Sequence, residues 1–417
     1  MQIIISRYFC YNQFMYVALL GRQPEISLAE LEAVFGEQSV ARISETFATV
    51  KTDNFNIDSL GGTIKCGKIV KQLALDLKKN PLDTASKYIV NHYAKKWQSH
   101  QGKITLGLSV YGLKNNAREV QKIGIILKSI LKKSGTSLRL IPNQQPALST
   151  ATSHNNKLGS AENKVELMII QTKQKLIIAE SRGVQDITAY TFRDRHRPKR
   201  DAFVGMLPPK LAQIMINLSG AQQFDCLWDP FCGTGTVLQE ARLKKIDVYG
   251  SDLSEKMVDY TTKNMQWFDE KFGIGHKNKR QIDSSWKVFH ADATTVKLSA
   301  DQISRITHIV CETYLGQPFS APPAPEKLRK VVGNCDYIIS SFLRNIHPQI
   351  HPSTRLCIAI PAWQDASGRF THLPLVNNLE KLGFSQLQRT SLLYHRPDQV
   401  VARELLTLKA IYPTETA

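Results

Sequence analysis

Trp228-Asp229-Pro230-Phe231-Cys232-Gly233-Thr234-Gly235-Thr236 is the stretch on which the reading of this chain turns. It closes a short apolar run and opens a helical pattern from Val237 to Arg242. A strand, a tight glycine-containing turn and a helix start are the parts of a ligand loop. The glycines let the backbone come close to a bound group, and the helix N-terminus leaves N–H groups unpaired toward it. A Gly-Thr-Gly-Thr string alone is weak evidence. Asp252 adds weight by closing the next apolar run, Val248-Tyr249-Gly250-Ser251-Asp252. An acid about 20 positions beyond a glycine loop is where open α/β sheets hold a pair of ribose hydroxyls.

Working outward, strands are expected at Phe224–Trp228, Asp247–Ser251, Lys287–His290, Thr307–Cys311 and Leu356–Ile360, with helical stretches between them. That alternation gives a parallel, doubly wound sheet. Upstream, Pro208 and Pro209 open apolar residues at helical spacing through Leu218, a helix leading into the first of these strands. Two β-prone runs, Phe384–His395 and Val400–Ala410, predict a terminal antiparallel hairpin. This departs from a plain dinucleotide-binding fold and is similar to a class I methyltransferase sheet. In such a sheet Gly233, Thr234 and Gly235 lie under the methionine end of S-adenosylmethionine, Asp229 reaches its amino group and Asp252 its ribose. Asp292, in His290-Ala291-Asp292-Ala293-Thr294, lies beside the adenine, where a carboxylate accepts from the exocyclic amine.

Glu312-Thr313-Tyr314-Leu315-Gly316 ends the fourth strand, at the carboxyl edge where open α/β sheets bind ligands. An exocyclic base amine is a poor nucleophile because its lone pair is delocalised into the ring. A carboxylate that accepts the amine hydrogens lets the lone pair turn toward a methyl donor. Glu312 is the candidate acceptor. Tyr314 reads equally as a platform for a base drawn from its helix and as edge packing. Cys232, Cys311 and His308 read as packing and strand residues.

At 417 residues the chain predicts two or three domains. Its 42% hydrophobic content and 18 prolines suit a soluble globular protein. No apolar run reaches the roughly 20 residues of a membrane span, and the N-terminus has too short an apolar core for a secretory signal. Seven cysteines lie without a CxxC pair, which favours reduced thiols in a cytoplasmic setting over disulfides or a metal site. The net charge of +18, from 54 basic and 36 acidic residues, favours a polyanionic partner, most economically a nucleic acid.

Met15 begins the better-patterned start, so residues 1–14 read as an extension or a misassigned start. A strand at Tyr16–Leu20 precedes a helix over Leu28–Phe35, with Ser27 and Glu30 as a capping box. Short β-prone runs at Val40–Ile43 and Thr46–Thr52 and an apolar helix from Lys68 to Leu77 complete a small α+β unit. A second unit follows: helix-like Ser86–Trp97, a strand at Ile104–Tyr111 and an amphipathic helix from Ala117 to Lys133. That helix carries Ile123, Ile126, Leu127, Ile130 and Leu131 on one side. Its basic side, Arg118, Lys122, Lys128, Lys132 and Lys133, reads equally as solvated or RNA-facing. Residues 141–164 are loop-like in composition. Strands at Val165–Thr172 and Lys175–Arg182 frame a hairpin. Arg193-Asp194-Arg195-His196-Arg197-Pro198-Lys199-Arg200 is the densest basic run, and Arg193, Arg195, Arg197, Lys199 and Arg200 are candidate phosphate contacts.

The sequence resembles the THUMP-domain RNA methyltransferases, especially the tRNA guanosine N2-methyltransferase branch. The resemblance rests on Leu19-Leu20-Gly21-Arg22-Gln23-Pro24-Glu25-Ile26-Ser27-Leu28-Ala29-Glu30, Tyr190-Thr191-Phe192-Arg193-Asp194, Arg197-Pro198-Lys199-Arg200-Asp201, Gly205-Met206-Leu207-Pro208-Pro209-Lys210-Leu211-Ala212 and the loop from Asp229 to Thr236. It implies a ferredoxin-like domain over 15–75, a THUMP RNA-binding domain over 76–185, a basic linker over 186–200 and a Rossmann-like methyltransferase domain over 201–417. It further implies S-adenosylmethionine as cofactor, tRNA as partner and guanine N2 as target. Glu312 would hold the amine and Tyr314 the base, in a monomer that leaves an activator subunit open. One departure stands out. The family's catalytic motif is usually Asp-Pro-Pro-Tyr before Gly, whereas Glu312-Thr313-Tyr314-Leu315 here has no proline and places its aromatic one position early. Two other readings stay open: a weakly catalytic or inactive tRNA-binding protein, and a DNA amino-methyltransferase.

Overall fold

Long runs of buried residues lay down both sheets, Val165–Ile170 and Leu176–Ser181 in the N-terminal one and Leu356–Trp363 in the C-terminal one. The computed structural model describes residues 15–76, 78–201, 206–273, 285–388, 390–397 and 399–412. The reading of residues 1–14 as an extension lies outside them. So do Leu77, at the end of the expected Lys68–Leu77 helix, and Gly205, in one of the stretches that carry the resemblance. Two compact units emerge, one built mainly from residues 35–58 and 63–188, the other from 189 onward together with 25–34 and 59–62.

Up to residue 184 the chain runs β1 (Met15–Leu20), α1 (Pro24–Phe35), β2 (Val40–Arg42), β3 (Phe47–Lys51), β4 (Thr63–Ala74), α2 (Pro81–Lys96), β5 (Lys103–Tyr111), α3 (Ala117–Lys133), β6 (Ser137–Leu140), α4 (Thr150–Asn155), β7 (Lys164–Gln171) and β8 (Lys175–Val184). These strands form one sheet in the order β2-β3-β1-β4-β8-β7-β5-β6. The sheet runs without a break across residues 75 and 76, where two separate α+β units were expected. The joint is β4, which pairs with β1 on one side and β8 on the other. The spacing of Ile69, Val70 and Leu73 reads as helical in isolation. With hydrogen-bonding strands on both flanks the backbone is extended instead, and β-branched Thr63, Ile64, Ile69 and Val70 suit it.

Helix α3 has the expected bounds. It is closed by a capping box in which Glu119 N donates to Asn116 Oδ1 (3.0 Å) and Asn116 N to Glu119 Oε2 (2.9 Å). Val120, Ile123, Leu127 and Leu131 face the core, while Ile126 and Ile130 lie exposed on the outer side. Residues 141–164 are packed and not a free loop. Ile141, Leu148 and Leu158 form a small cluster, and buried Lys65 donates to Leu148 O (2.8 Å), Ser153 Oγ (2.8 Å) and Glu166 Oε1 (2.6 Å).

The second unit continues with α5 (Ile187–Arg195), α6 (Pro209–Ser219), β9 (Cys226–Asp229), α7 (Thr236–Leu243), β10 (Asp247–Asp252), α8 (Glu255–Phe272), β11 (Trp286–His290), α9 (Ala300–Arg305), β12 (His308–Glu312), α10 (Pro325–Ile346), β13 (Arg355–Gln364), β14 (Phe370–Thr371), β15 (Phe384–Gln386), β16 (Leu392–Tyr394) and β17 (Val401–Ala410). The main sheet order is β11-β10-β9-β12-β13-β17-β15, with β14 on β13 and β16 on β17. Strands β9 to β13 are parallel, and β17 is antiparallel to β13. The first strand, β9, therefore sits centrally. The chain winds outward from it in both directions, which opens a crevice between the carboxyl ends of β9 and β12. The expected terminal hairpin is two short strands, β15 and β16, both laid on β17.

Residues 25–34 pack with this second unit, contrary to their expected place in the 15–75 domain. Helix α1 starts at Pro24, so Ser27 and Glu30 lie inside it and form no capping box. Glu30 is instead fully buried and accepts from Gly61 N (2.8 Å), Gly62 N (2.7 Å) and Asn217 Nδ2 (2.7 Å). A carboxylate with three donors organises the two chain segments that meet it. Glu30→Ala leaves those donors unpaired, and the expected loss is about 3–5 kcal/mol of unfolding free energy, read by urea denaturation.

Candidate active site

The loop after β9 is held by hydrogen bonds that its own sequence supplies only in part. Asp229 Oδ1 accepts from Phe231 N (3.1 Å), Cys232 N reaches Ser251 O (2.9 Å), and Gly235 N returns to Cys232 O (2.7 Å). Gly233 N donates to Asp252 Oδ2 (2.9 Å), while Ser254 N donates to Asp252 Oδ1 (2.9 Å). One carboxylate thus ties the glycine loop to the turn after β10. From α8, Thr261 Oγ1 donates to Gly233 O (2.6 Å) and Asn264 Nδ2 to Thr234 O (2.9 Å). Gly235 caps α7 at φ +83, and a Cβ there would sit 2.9 Å from Thr261 Cγ2, so both backbone conformation and space require glycine.

Three carboxylates follow one another along the carboxyl edge: Asp229 on β9, Asp252 on β10 and Glu312 on β12. Asp229 is buried, and among the described residues its Oδ2 has no partner and no cation pairs with it. Burial, with the added charges of Asp252 and Glu312, pushes its carboxyl well above the usual carboxylate range. Burial also raises Asp252, against the pull of its two backbone donors. Asp292, just past β11, accepts from Thr294 N (2.8 Å) and Thr294 Oγ1 (2.7 Å), which fixes its turn. Leu253, next to Asp252, is 66% exposed, and its carbonyl is held by His290 Nε2 (2.8 Å). An exposed leucine next to the strand-end acid Asp252 offers an apolar surface, a feature the sequence reading did not single out.

Glu312 is ion-paired. Arg403 Nε, from β17, donates to Glu312 Oε1, and Oε2 has no partner among the described residues. Tyr314 is 42% exposed beside it. Thr313 anchors the turn by donating from both N and Oγ1 to Ala359 O (3.0 Å each). Gly316 ends the segment at φ +79, where a Cβ would lie 2.8 Å from Val331 Cγ1. Arg403 escaped the sequence reading. Its only signal is a charged pair, Arg403-Glu404, inside the otherwise apolar run of β17.

The basic run divides. Arg193 and Arg197 are buried and are corrected as phosphate contacts. Arg193 makes a bidentate pair with Glu240 (2.6 and 3.1 Å). Arg197 Nη1 donates to Thr236 Oγ1 (2.6 Å) and Thr234 Oγ1 (3.4 Å), bracing the glycine loop from behind. Within the expected basic linker over 186–200, residues 187–195 form helix α5, which carries Arg193 inward, and Arg197 follows just beyond it. Arg195 and Arg200 are exposed and Lys199 is half-buried. Cys232 and Cys311 are buried thiols that burial pushes well up, which makes them packing residues. Among the described residues no group of three or more His, Cys, Asp and Glu could hold a metal, and no helix is long and apolar enough to cross a membrane.

Residues 197–366 match the family profile described as RMKL-like, methyltransferase domain. The tRNA (guanine(10)-N2)-dimethyltransferase of Methanothermobacter thermautotrophicus is 32% identical over 171 residues, 40% of this chain and 43% of that protein. The protein of the same name from Methanocaldococcus jannaschii is 30% identical over 148 residues, 34% of this chain and 39% of its own. The chain therefore spans less than half the length of the curated relatives it matches. Among solved structures, TrmN from Thermus thermophilus superposes with a TM-score of 0.50 at 15% identity, covering 95% of this chain and 100% of that one. A possible methylase from Clostridium difficile 630 gives 0.51 at 13%, with 96% and 99% coverage. The fold is thus α/β with a Rossmann-like methyltransferase sheet.

Asn264 carries the joint between the glycine loop and the segment after α5. Besides Thr234 O, its Nδ2 donates to Lys199 O (2.9 Å), and its Oδ1 accepts from Lys199 N (2.9 Å). Asn264→Ala removes these bonds at a fully buried position. The expected loss is about 2–4 kcal/mol, seen as a lowered Tm.

Proposed function

We propose that this chain transfers a methyl group from S-adenosylmethionine to the exocyclic N2 of guanine in tRNA. The observation that carries the reading is the row of strand-end carboxylates at the crevice between β9 and β12, with Glu312 beside exposed Tyr314. The relatives bearing the name tRNA (guanine(10)-N2)-dimethyltransferase support the substrate.

The residues suit this cofactor. Asp229 is a buried carboxylate with an open oxygen and no cation, a natural seat for an ammonium group. Asp252, Asp292 and Leu253 offer acceptors and an apolar wall for ribose and adenine. Gly233, Thr234 and Gly235 would pass beneath the methionine end. When bound, the cofactor supplies a methyl group on a sulfonium centre. Glu312 accepts an N–H of the guanine amine at its open Oε2, which draws the nitrogen lone pair out of conjugation and provides a destination for the proton. Tyr314 stacks on the base and holds it for in-line attack, so that positioning supplies much of the rate.

Residues 15–185 act, in this reading, as the ferredoxin-like and THUMP parts that grip folded tRNA by backbone and shape. The net charge of +18 supports it, as does a cleft of about 460 Å³ lined by Lys103, Lys128, Lys132 and Arg139. Arg195, Lys199 and Arg200 extend the basic surface, in a cytoplasmic enzyme. The engagement of Glu312 by Arg403 is the observation that favours a second reading, a tRNA-binding protein with weak catalysis.

Transfer of labelled methyl to unmodified tRNA, followed by nucleoside analysis, separates the readings. Labelled N2-methylguanosine is expected, with Glu312→Ala lowering the rate about 10²–10⁴-fold while tRNA stays bound. Label on adenine, or on DNA in preference to tRNA, would move the substrate. Binding without label would favour the second reading.

Asp229 adds a pH signature. Its carboxyl is raised in the free site, whereas a cationic partner favours the ionised form, so binding releases a proton at pH values below the free-site pKa. Cofactor affinity is expected to weaken as pH falls, approaching about tenfold per pH unit below the free-site pKa. Calorimetric titration in buffers of different ionisation enthalpy measures the released proton, and Asp229→Asn abolishes it.

A further inference from the structure

Glu312 and Arg403 belong to strands that do not touch. Glu312 ends β12 and Arg403 lies near the start of β17, with β13 between them. Register places Glu312 opposite Ala359, and Ala359 opposite Leu405. Arg403, two residues before Leu405 and opposite Pro361, points to the same face of the sheet. Ala359 offers only a methyl group on that face. This leaves a lane through which the guanidinium crosses β13 to Glu312 Oε1. The side chains are 9% and 15% exposed, so the pair is sheltered from water. Burying an ion pair contributes little net stability, because desolvation offsets the attraction, whereas it restricts geometry strongly. Segment 312–316 contains no proline to stiffen it, so the polar anchors on Glu312 and Thr313 set its shape.

The geometry points to Arg403 as the positioning residue of this site: it holds Glu312 by Oε1 in one rotamer and leaves Oε2 to receive the substrate amine. The inference rests on the methyl-transfer reading above. It assigns β17 a part in the reaction and accounts for a charged side chain at a buried position of an apolar strand.

The test is single-turnover methyl transfer to tRNA by wild type, Arg403→Lys, Arg403→Ala, Glu312→Gln and the Glu312→Gln/Arg403→Ala double variant. Cofactor and tRNA affinities and thermal melts are measured on the same preparations. Arg403→Ala is expected to lower the rate about 100-fold, with affinities within about threefold of wild type. Added guanidinium ion should restore part of the rate, and Arg403→Lys should keep more of it than alanine does. In the Glu312→Gln background, loss of Arg403 should cost less than about threefold, because a residue that acts only through Glu312 has nothing left to position. A wild-type rate in Arg403→Ala, or an equal loss in both backgrounds, would overturn the assignment while leaving the methyltransferase reading intact. A wild type that binds cofactor and tRNA but transfers no methyl group would overturn that reading, and the role of Arg403 with it.

Discussion

A carboxylate buried at the tip of the central strand without a protein cation sets the terms for the C-terminal unit. Asp229 sits where Asp252 and Glu312 add further negative charge, and its open oxygen has no donor among the described residues. Burying such a group in its charged form without a counter-charge is costly, so its neutral form is favoured. The glycine loop that follows it is pinned by Asp252, Thr261 and Asn264, which fixes its backbone.

Cations are used with equal care. Glu312 is the acid of the row that has one, and Arg403 reaches it over the methyl group of Ala359. Arg193 and Arg197, from a run that looks like a surface for phosphate, turn inward to Glu240 and to the threonines of the loop. Lys65 does the same in the N-terminal unit with Glu166. Local charge density therefore does not reveal which charges meet solvent. For Arg193 and Lys65 burial depends on a carboxylate, Glu240 or Glu166, that arrives from elsewhere in the chain, and the sequence neighbourhood contains no trace of it.

Elements whose stability is local were legible. Helix α3 spans the residues expected of it, Ala117 to Lys133, and buries Ile123, Leu127 and Leu131 as expected. Ile126 and Ile130, expected on the same side, are exposed, and the capping box of Asn116 and Glu119 was not singled out. The alternation of strands and helices after residue 224 was legible too, since a parallel sheet buried on both faces needs uninterrupted apolar strands. Strand β4 was not, because its apolar spacing fits a helix and its extended form comes from β1 and β8 on either side. The motif Ser27 to Glu30 read as a cap for the same reason: four residues match the pattern, while the true partners of Glu30 lie 31, 32 and 187 residues away.

By itself the sequence determined the doubly wound sheet, the glycine loop and the acids that end its strands, because periodicity, turn residues and strand-end positions are written in short windows. Tertiary structure alone decided what those acids face. The open oxygen of Asp229, the clamp of Arg403 on Glu312 and the inward turn of Arg193 and Arg197 each depend on which side chains the tertiary fold brings near or keeps away, mostly across dozens of residues. Electrostatic character at a buried site belongs to that assembled neighbourhood and not to any one stretch of chain.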